Sequence, residues 1–320
     1  MTQLIKHPMK AAALLTLGAS TVALATQFAV AQDLKASAAN RLVIEDFIGS
    51  VVIREGATLG YELDMGKGLV PEPRVDVSGG VLMISGDDDL EIDSCRNNNG
   101  DLRIELDGGR MEPIRDYPRL TITMPKQTDA DIHIAGGTLN MSDANSLRLT
   151  HSGCGDTEFS DVSGPLELSI LGSGDIQGGS TGAALIAIRG SGDFELDNVN
   201  GPAEVAVMGS GDIDIGEVAG RTDLSIMGSG DVSIGTVGDE LNLNIKGSGD
   251  VEIGGGEVRN LKIDVLGSGD VVFNGGADDV SVLLKGSGDV YVARSNGNRV
   301  VSRYGSGDVR IGSWRYNDDD

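Results

Sequence analysis

The sequence predicts an all-β protein, a right-handed parallel β-helix (a solenoid) with about 19 residues in each coil. The first observation is a Gly-Ser-Gly-Asp turn that recurs at steps of 18 to 20 residues. The second is the alternation of apolar and polar residues on both sides of that turn. The third is the composition, with 48 glycines and only 3% aromatic residues, which favours a narrow aliphatic core with many tight turns. The eight copies of the turn end at Asp175, Asp193, Asp212, Asp231, Asp250, Asp270, Asp289 and Asp308, and a variant copy with Cys154 in place of serine ends at Asp156.

Residues 1–31 have the pattern of a signal peptide. Lys6 and Lys10 form a positive start, residues 11–30 are largely apolar, and Ala29-Val30-Ala31 fits a small-residue cleavage site. Later stretches are too short and too charged to span a bilayer. We therefore expect an exported protein (periplasmic, cell-surface or secreted) without a membrane span in the mature chain.

The two cysteines can be interpreted once export is expected. In an oxidising compartment Cys95 and Cys154 can form a disulfide. The bond would close a loop of roughly 60 residues and contribute about 4 kcal/mol in the chain-entropy model. It would join the irregular N-terminal part to the first turn copy. Two unpaired thiols are the alternative.

Residues 32–137 form a less regular N-terminal section of coils, or a cap. Short runs of alternating apolar residues, separated by turns rich in glycine and aspartate, predict strands. Residues 86–100, which include an Asp-Asp-Asp and an Asn-Asn-Asn-Gly sequence, predict an exposed loop. The apolar runs lie at residues 42–44, 51–53, 75–77, 81–84, 102–106, 120–124 and 132–134.

Residues 138–312 form the regular solenoid. Two, four and six residues before the first glycine of a turn, the side chains are apolar, as are those one and three residues after its aspartate. A period of two on each side of the turn means two strands with one face each in the core. The 18- and 20-residue repeats keep this count, so length variation should be absorbed in the turn on the opposite side. For the turn that ends at Asp212, the inward residues are Ala203, Val205, Val207, Ile213 and Ile215.

The last coil departs from this rule. Arg299 and Arg303 stand at inward positions, and Trp314 and Tyr316 follow directly. We interpret residues 313–320 as a C-terminal cap and tail that close the open end of the stack.

The turn aspartates should stack into a ladder of carboxylates, which we call the Asp ladder. Unit charges about 4.8 Å apart repel by on the order of 0.9 kcal/mol in water, so something must offset the repulsion. Hydrogen bonds from backbone N–H groups, in turns whose glycines take positive φ, are the favoured explanation. Calcium bound by the carboxylates is the less favoured alternative.

The formal net charge of −24 argues against nucleic acid as a partner, because that partner requires a basic surface. The stacked turn serines lack a neighbouring base, since only His133 and His151 follow the leader and His151 falls at an inward position. Cys95, Cys154 and His151 are too scattered for a zinc site. We therefore assign no catalytic, cofactor-binding or metal-binding residue and expect no cofactor and no enzymatic activity.

One outward row is more suggestive of a contact surface. The position just before each turn faces outward by the period-two rule, yet several of its residues are apolar. A contiguous exposed apolar strip indicates a contact site more strongly than scattered residues do. We call this row the corner stripe: Leu171, Arg189, Met208, Met227, Lys246, Leu266, Lys285 and Tyr304.

The Gly-Ser-Gly-Asp coils, preceded by strand-rich segments at residues 41–55 and 118–125, resemble the family described as "putative auto-transporter adhesin, head GIN domain". The resemblance covers residues 40–310 and implies an exported bacterial β-helix without an established activity. Because the sequence ends just after the last coil, we expect the auto-transporter half of that name not to apply.

The function that we expect is a non-enzymatic adhesin, or a binding or structural module, of the bacterial cell envelope. Its partner would be a cell-surface glycan or an envelope protein. One alternative is an enzyme acting on polysaccharides, with a groove near Arg96, Arg103, Arg110 and Arg115. Another is a calcium-dependent structural solenoid.

Overall fold

A computed structural model describes residues 39–98 and 100–316 of the chain. The expected signal peptide, residues 1–31, lies outside the described residues, as do the last four residues of the expected tail. The described part consists of 25 β-strands and one turn of 3-10 helix, Ile114–Asp116. No helix long and apolar enough to cross a bilayer occurs in these two ranges.

The strands of the N-terminal half include two long ones that bend from one side of the molecule to the other. These strands are β1 (Arg41–Glu55), β2 (Gly60–Asp64), β3 (Arg74–Ser78), β4 (Val81–Ser85), β5 (Ile92–Asn98), β6 (Asp101–Leu106), β7 (Glu112–Pro113), β8 (Arg119–Met124), β9 (Asp129–Met141), β10 (Ser146–His151), β11 (Thr157–Phe159) and β12 (Val162–Ile170). β9 runs across residues 137 and 138, where the expected N-terminal section meets the regular array.

The strands of the C-terminal half follow the repeat. They are β13 (Ile176–Gly178), β14 (Thr181–Ile188), β15 (Phe194–Val199), β16 (Ala203–Val207), β17 (Ile213–Val218), β18 (Thr222–Ile226), β19 (Val232–Gly247), β20 (Val251–Gly267), β21 (Val271–Gly286), β22 (Val290–Ser295), β23 (Arg299–Gly305), β24 (Val309–Ile311) and β25 (Trp314–Arg315).

The coils stack in parallel and give the solenoid two faces. Strands that end at a Gly-Ser-Gly-Asp turn form the leading face, which runs through β10, β12, β14, β16 and β18 to the ends of β19–β21 and then β23. Strands that begin after the turn form the trailing face, through β11, β13, β15 and β17 to the starts of β19–β21, β22 and β24. β1 and β9 contribute to both faces. The all-β parallel solenoid is confirmed, whereas its right-handed sense stays a prediction.

The core lies between the two faces, and the inward positions predicted from the sequence are confirmed. Ala203, Val205 and Val207 on the leading face are buried, as are Ile213 and Ile215 on the trailing face. Because equivalent residues stack from coil to coil, the core is a set of aliphatic rows along the axis. Each apolar side chain therefore buries its surface against the coils before and after it.

Length variation is absorbed away from the Gly-Ser-Gly-Asp turn, as predicted. Between β19 and β20 the register shifts at Asp239 and Glu240, on the opposite side of the coil. Between β12 and β14 it shifts between Val162 and Pro165, on that same side. The turn can therefore keep one geometry in every coil.

The turn glycines are required mainly because the stacked turns approach each other closely. A Cβ atom at Gly209 would lie 2.1 Å from the Gly190 carbonyl oxygen, and one at Gly211 would lie 2.2 Å from the Gly192 oxygen. Neither Gly209 nor Gly211 has a positive φ. At these two positions glycine is needed because the backbone of the preceding coil occupies the space of a side chain, whereas the expected positive φ occurs in later turns, at Gly247, Gly267, Gly286 and Gly305 (+135° to +154°).

Residues 86–100 are not simply a loop, which corrects the sequence prediction. β5 lies within this segment and pairs antiparallel with β6, and β6 pairs with β7, to form a separate three-stranded sheet. Its apolar residues form a second core with Ile48 and Tyr117. The polar composition of β5 does not predict a strand, yet β5 pairs with β6, the next strand along the chain.

The predicted disulfide between Cys95 and Cys154 is present, with the two Cα atoms 6.2 Å apart. It joins β5 of the small sheet to the variant first turn. Next to it, the Asn97 side-chain amide donates to both carboxylate oxygens of Asp156, at 3.3 and 3.1 Å. The small sheet is thus fastened to the corner at the point where the regular turns begin.

Antiparallel strands end the stack at three of its four edges. β2 pairs with β8 and β3 pairs with β4 at the N-terminal end, and β25 pairs with β24 on the trailing face at the C-terminal end. On the leading face β23 is the last strand. Its inward Arg303 donates to the Gly307 carbonyl oxygen at 3.0 Å and lies 5.4 Å from the ring centre of Tyr316.

Candidate functional site

The Asp ladder is held by hydrogen bonds between neighbouring coils. The Oδ1 atom of each turn aspartate accepts the backbone N–H of the aspartate one coil further on, for example from Asp231 to Asp212 at 2.8 Å. Seven such bonds run without a break from Asp175 to Asp308, at 2.7 to 3.1 Å. An acceptor role for the carboxylates was expected from the sequence. The structure adds that the acceptor serves the next coil.

The turn serines contribute their backbone to the stack, and their hydroxyls face solvent. The Ser229 N–H donates to the Gly209 carbonyl oxygen at 3.1 Å, and the same bond recurs along the corner. No histidine ring bonds to a turn serine within the described ranges. The turn serines are therefore poor nucleophiles, as expected from the sequence.

Within residues 39–98 and 100–316, one group of three carboxylates outside the ladder lies close together. Oxygens of Asp87, Asp88 and Asp89 lie within 4.8 Å of one another on an exposed segment before β5. Exposed acidic groups of this kind are common, and we assign no metal to them. In the ladder itself, one oxygen of each carboxylate from Asp175 to Asp289 already accepts a backbone hydrogen bond.

The corner stripe is exposed along the leading face, as predicted from the sequence. Side chains of Leu171, Met227, Leu266 and Tyr304 are 43%, 45%, 39% and 64% exposed. These four exposed apolar side chains share one row with Arg189, Lys246 and Lys285, so the row is a mixed apolar and cationic surface. Met208 on the same row is partly covered.

Cationic residues alternate irregularly with the apolar ones along the corner stripe. The register places Lys246 beside Leu266, Leu266 beside Lys285, and Lys285 beside Tyr304. The Lys285 Nζ atom lies 5.7 Å from the Tyr304 ring centre, a cation–π distance. The stripe therefore offers apolar surface and positive charge together, on a chain whose net charge is strongly negative.

The trailing face has the opposite electrostatic character at its N-terminal end. A shallow groove of about 800 Å³ follows the outward side of five successive coils. Its charged lining is wholly acidic, and this surface would repel an anionic partner that the corner stripe could accept. The acidic lining residues are Asp143, Glu158, Asp161, Glu195, Asp197 and Asp214.

The arginines considered for a polysaccharide-active groove lie on and near the small sheet. Arg103 and Arg115 both face Asp101, at 3.0 and 3.8 Å, and Arg96 stands opposite Arg103 across the β5–β6 pair. Their charges are thus partly neutralised by a shared carboxylate. The structure gives this group no arrangement specific to glycoside chemistry.

The two histidines of the solenoid have different environments. His151 is fully buried at the inward position predicted for it, and its Nδ1 atom lies 3.2 Å from the Thr157 hydroxyl. Burial lowers the pKa of His151, and nearby His133 lowers it further, against the opposing effects of the Cys154 backbone and Asp156. His133 is on the surface and bonds to Ser152 and Asp46. The contacts of His133 with Ser152 and Asp46 were not predicted from the sequence.

Comparison with known proteins gives the family of the chain. No functionally curated protein matches the sequence. Among the solved structures that match, two align at low similarity. The "putative lipid binding protein" of Parabacteroides distasonis is 13% identical, with a TM-score of 0.34, over 85% of this chain and 92% of that one. The "putative adhesin" of Bacteroides fragilis is 15% identical, with a TM-score of 0.29, over 87% and 94%.

A family model matches this sequence over most of its length. It covers residues 49–237 and 235–314, which include the small sheet, the disulfide, the Asp ladder and the corner stripe. The resemblance carried by the Gly-Ser-Gly-Asp coils is thereby confirmed, and the chain belongs to the family described as "Putative auto-transporter adhesin, head GIN domain".

Proposed function

We propose that this protein is an exported, adhesin-like binding module of the bacterial envelope that contacts its partner through the corner stripe. The intramolecular disulfide and the family membership both favour an extracellular or envelope location. Binding at the stripe involves no turnover. The observation that carries the proposal is the row of exposed apolar side chains on one edge of a rigid stack.

A stacked row suits an extended partner. Neighbouring coils lie about 4.8 Å apart, so the stripe offers a contact at each step along the axis. Apolar side chains can pack on sugar rings or on aliphatic side chains, while Arg189, Lys246 and Lys285 provide donors and positive charge. The partner we propose is a linear cell-surface glycan or a segment of an envelope protein. An acidic glycan fits the charges of the stripe best.

A glycan array with a stripe variant tests the proposal. We expect the purified protein to bind a subset of envelope polysaccharides. The triple variant Met227→Ser, Leu266→Ser and Tyr304→Ser should lose at least about tenfold in affinity, since each truncation at a contact centre costs roughly 1 kcal/mol or more. Thermal unfolding should change little, because these side chains are exposed.

A matched control uses outward apolar residues of the trailing face. Val272→Ser with Tyr291→Ser should leave glycan binding intact. Equal losses in the two variants would reject the stripe as the binding surface. Incubating each bound glycan with the protein and analysing it for cleavage separates binding from the alternative of a polysaccharide-active enzyme.

A further inference from the structure

Three side chains from three successive coils form a hydrogen-bonded relay beside the start of the corner stripe. His133 Nδ1 lies 2.9 Å from Asp46 Oδ1, and His133 Nε2 lies 2.9 Å from Ser152 Oγ. With the Nδ1–H donated to the carboxylate, Nε2 is left as the acceptor for the serine hydroxyl. This is the order of contacts that activates a serine nucleophile: carboxylate, imidazole, hydroxyl.

The backbone of β1 is distorted at the point where it supplies the carboxylate. Asp46 has φ +51°, and the register between β1 and β9 breaks between Ile44 and Phe47. A bulge turns a side chain away from the direction that regular alternation would give it. Here it turns Asp46 toward His133. Aspartate is one of the few non-glycine residues that adopt positive φ readily, so this residue type suits the bulge.

The relay is accessible and its serine is fixed. The side chains of His133 and Asp46 are 33% and 36% exposed. Ser152 is partly exposed, and its own N–H donates to the Ile134 carbonyl oxygen at 3.1 Å, so its backbone stays in the stack. A reactant can therefore reach the serine Oγ from solvent, while the three side chains keep their mutual distances.

We propose that Ser152 is a nucleophile for acyl transfer, with His133 as its general base and Asp46 as the positioning residue. The inference goes beyond the proposed binding function and does not depend on it. It differs from the expectation, drawn from the sequence, that the chain has no catalytic group. The serine concerned lies one residue before the variant turn and is separate from the turn serines.

The reaction has two balanced steps. Ser152 Oγ attacks the carbonyl carbon of an ester, and its proton passes to His133 Nε2. The bond from that carbon to the leaving oxygen breaks, and the leaving oxygen takes the proton, which gives an alcohol and an acyl-serine. Water then attacks the acyl-serine with the same base, and the products are a carboxylic acid and the free serine.

The surroundings of Ser152 indicate a small apolar acyl group on a larger carrier. Stacking places Ala135 before Ser152 and the exposed Leu171 after it on the same outward row, as the hydrogen bonds Ser152 N–H to Ile134 and Leu171 N–H to His151 show. A short aliphatic acyl chain can lie on the exposed Leu171 side chain, whereas Ala135 packs partly against the second core. Because the site is open, an ester presented on a polymer can reach it. The substrate class is therefore a short-chain acyl ester.

The experiment uses the purified protein and two probes, a fluorophosphonate and p-nitrophenyl acetate. We expect covalent labelling at Ser152, located by peptide mass spectrometry, together with ester hydrolysis. Ser152→Ala should abolish both. His133→Gln should slow both by about 10²-fold or more, the usual contribution of a general base. Asp46→Asn keeps a side chain that tolerates positive φ, yet should slow both at least about tenfold, in kcat rather than in KM.

The matched control is Ser173→Ala, which removes an exposed turn serine one coil further on and should leave both rates unchanged. Thermal unfolding of every variant checks that the stack is intact. The proposal is overturned if Ser152 is not labelled, if Ser173 is labelled as fast as Ser152, or if folded His133→Gln retains the wild-type rates. Each of those results would make the relay a structural hydrogen-bond network around the bulge.

Discussion

His151 places a polar ring in a core row that is otherwise aliphatic. Its Nδ1 atom is paired with the Thr157 hydroxyl, but its Nε2 atom has no hydrogen-bond partner within the described residues. In the next coil the same two positions hold Ile170 and Ile176, both buried. A buried polar atom without a partner costs about 1–3 kcal/mol. The first regular coil is therefore a weak point of the core.

The double variant His151→Ile with Thr157→Ile should stabilise the protein. It removes the unpaired ring nitrogen and copies a pair that already packs one coil away, so we expect a gain of about 1–3 kcal/mol. For a chain of this size that corresponds to a rise in Tm of several degrees. Thermal unfolding at pH 7.5 measures it.

The stability gained by the double variant should increase as the pH falls, and proton linkage gives the direction of this change. Burial holds the pKa of His151 below its value in the unfolded chain, so the unfolded state takes up the proton first. The stability of the wild type is therefore fully present above about pH 6.5, and falls as pH drops toward the folded-state pKa, by up to about 1.4 kcal/mol per unit. A Tm difference that stays constant between pH 7.5 and 5 would contradict this account.

The sequence contained part of the signal for the relay but could not complete it. His133 and Ser152 are 19 residues apart, one nominal period, which places them in neighbouring coils. Asp46 is 87 residues before His133 in the sequence, because the small sheet and the antiparallel strands intervene between their coils. Its orientation depends on a bulge at Asp46, and no periodic pattern predicts a break in its own register.

At the scale of the element, the Asp ladder is a continuous hydrogen-bonded feature of the corner. Each carboxylate accepts the N–H of the next coil, which offsets the repulsion between stacked charges. The acceptor oxygen does this, and a full negative charge is not required for it. This distinction separates the structural role from a calcium site.

Substitutions at Asp231 distinguish a hydrogen-bond acceptor from a calcium ligand. Asp231→Asn keeps an acceptor for the Asp250 N–H and relieves repulsion from both neighbours, so it should be neutral or slightly stabilising. Asp231→Ala removes the acceptor and should cost about 0.5–1.5 kcal/mol. Thermal unfolding with EDTA and with millimolar CaCl₂ measures both.

The dependence of Tm on divalent cations tests the alternative, calcium binding by the Asp ladder. We expect a small shift in Tm with calcium, reproduced by magnesium and unchanged in Asp231→Asn, because any acidic surface attracts divalent cations. A large shift specific to calcium, diminished in Asp231→Asn, would show binding to the folded state and make the ladder a metal site.

The small sheet contains a strand, β5, that the sequence pattern does not predict. β5 has the sequence Ile-Asp-Ser-Cys-Arg-Asn-Asn, which lacks an apolar period and looks like a loop. It is a strand because β6 supplies a pairing edge and the disulfide fixes its middle to the corner. Strand formation there is imposed by tertiary contacts, which override local propensity.

For the whole molecule, repetition made the sequence informative. The inward rows, the constant corner and the absorption of length changes on the opposite side were all deduced by counting from the turn, and the register confirms them. The antiparallel pairing of β2, β3 and β25 at the ends of the stack was not deduced, although a strand at residues 75–77 and a cap at residues 313–320 were expected. Terminal elements face solvent on one side, so they do not share the pattern of the repeats between them.

Deletion of one whole period tests whether the coils are independent units. Without residues 213–231, Asp212 would be followed by Val232, and β15 and β16 would meet β19 in the register that β17 and β18 now provide. The variant should fold and lose only modest stability. In small-angle scattering it should be shorter by about 4.8 Å, one coil.

Deletion of residues 213–221 removes the trailing strand of the same coil and keeps the leading one. Asp212 would then be followed by Thr222, so a leading-face strand would have to occupy the trailing face or leave the stack. Either outcome interrupts the aliphatic rows and exposes apolar side chains that each contribute about 1.5–3 kcal/mol when buried. We expect this variant to aggregate or to unfold at a much lower temperature than the full-period deletion. If the two deletions lower the melting temperature equally, the coils do not stack as interchangeable units, because only whole-coil removal preserves every neighbour contact of the remaining chain.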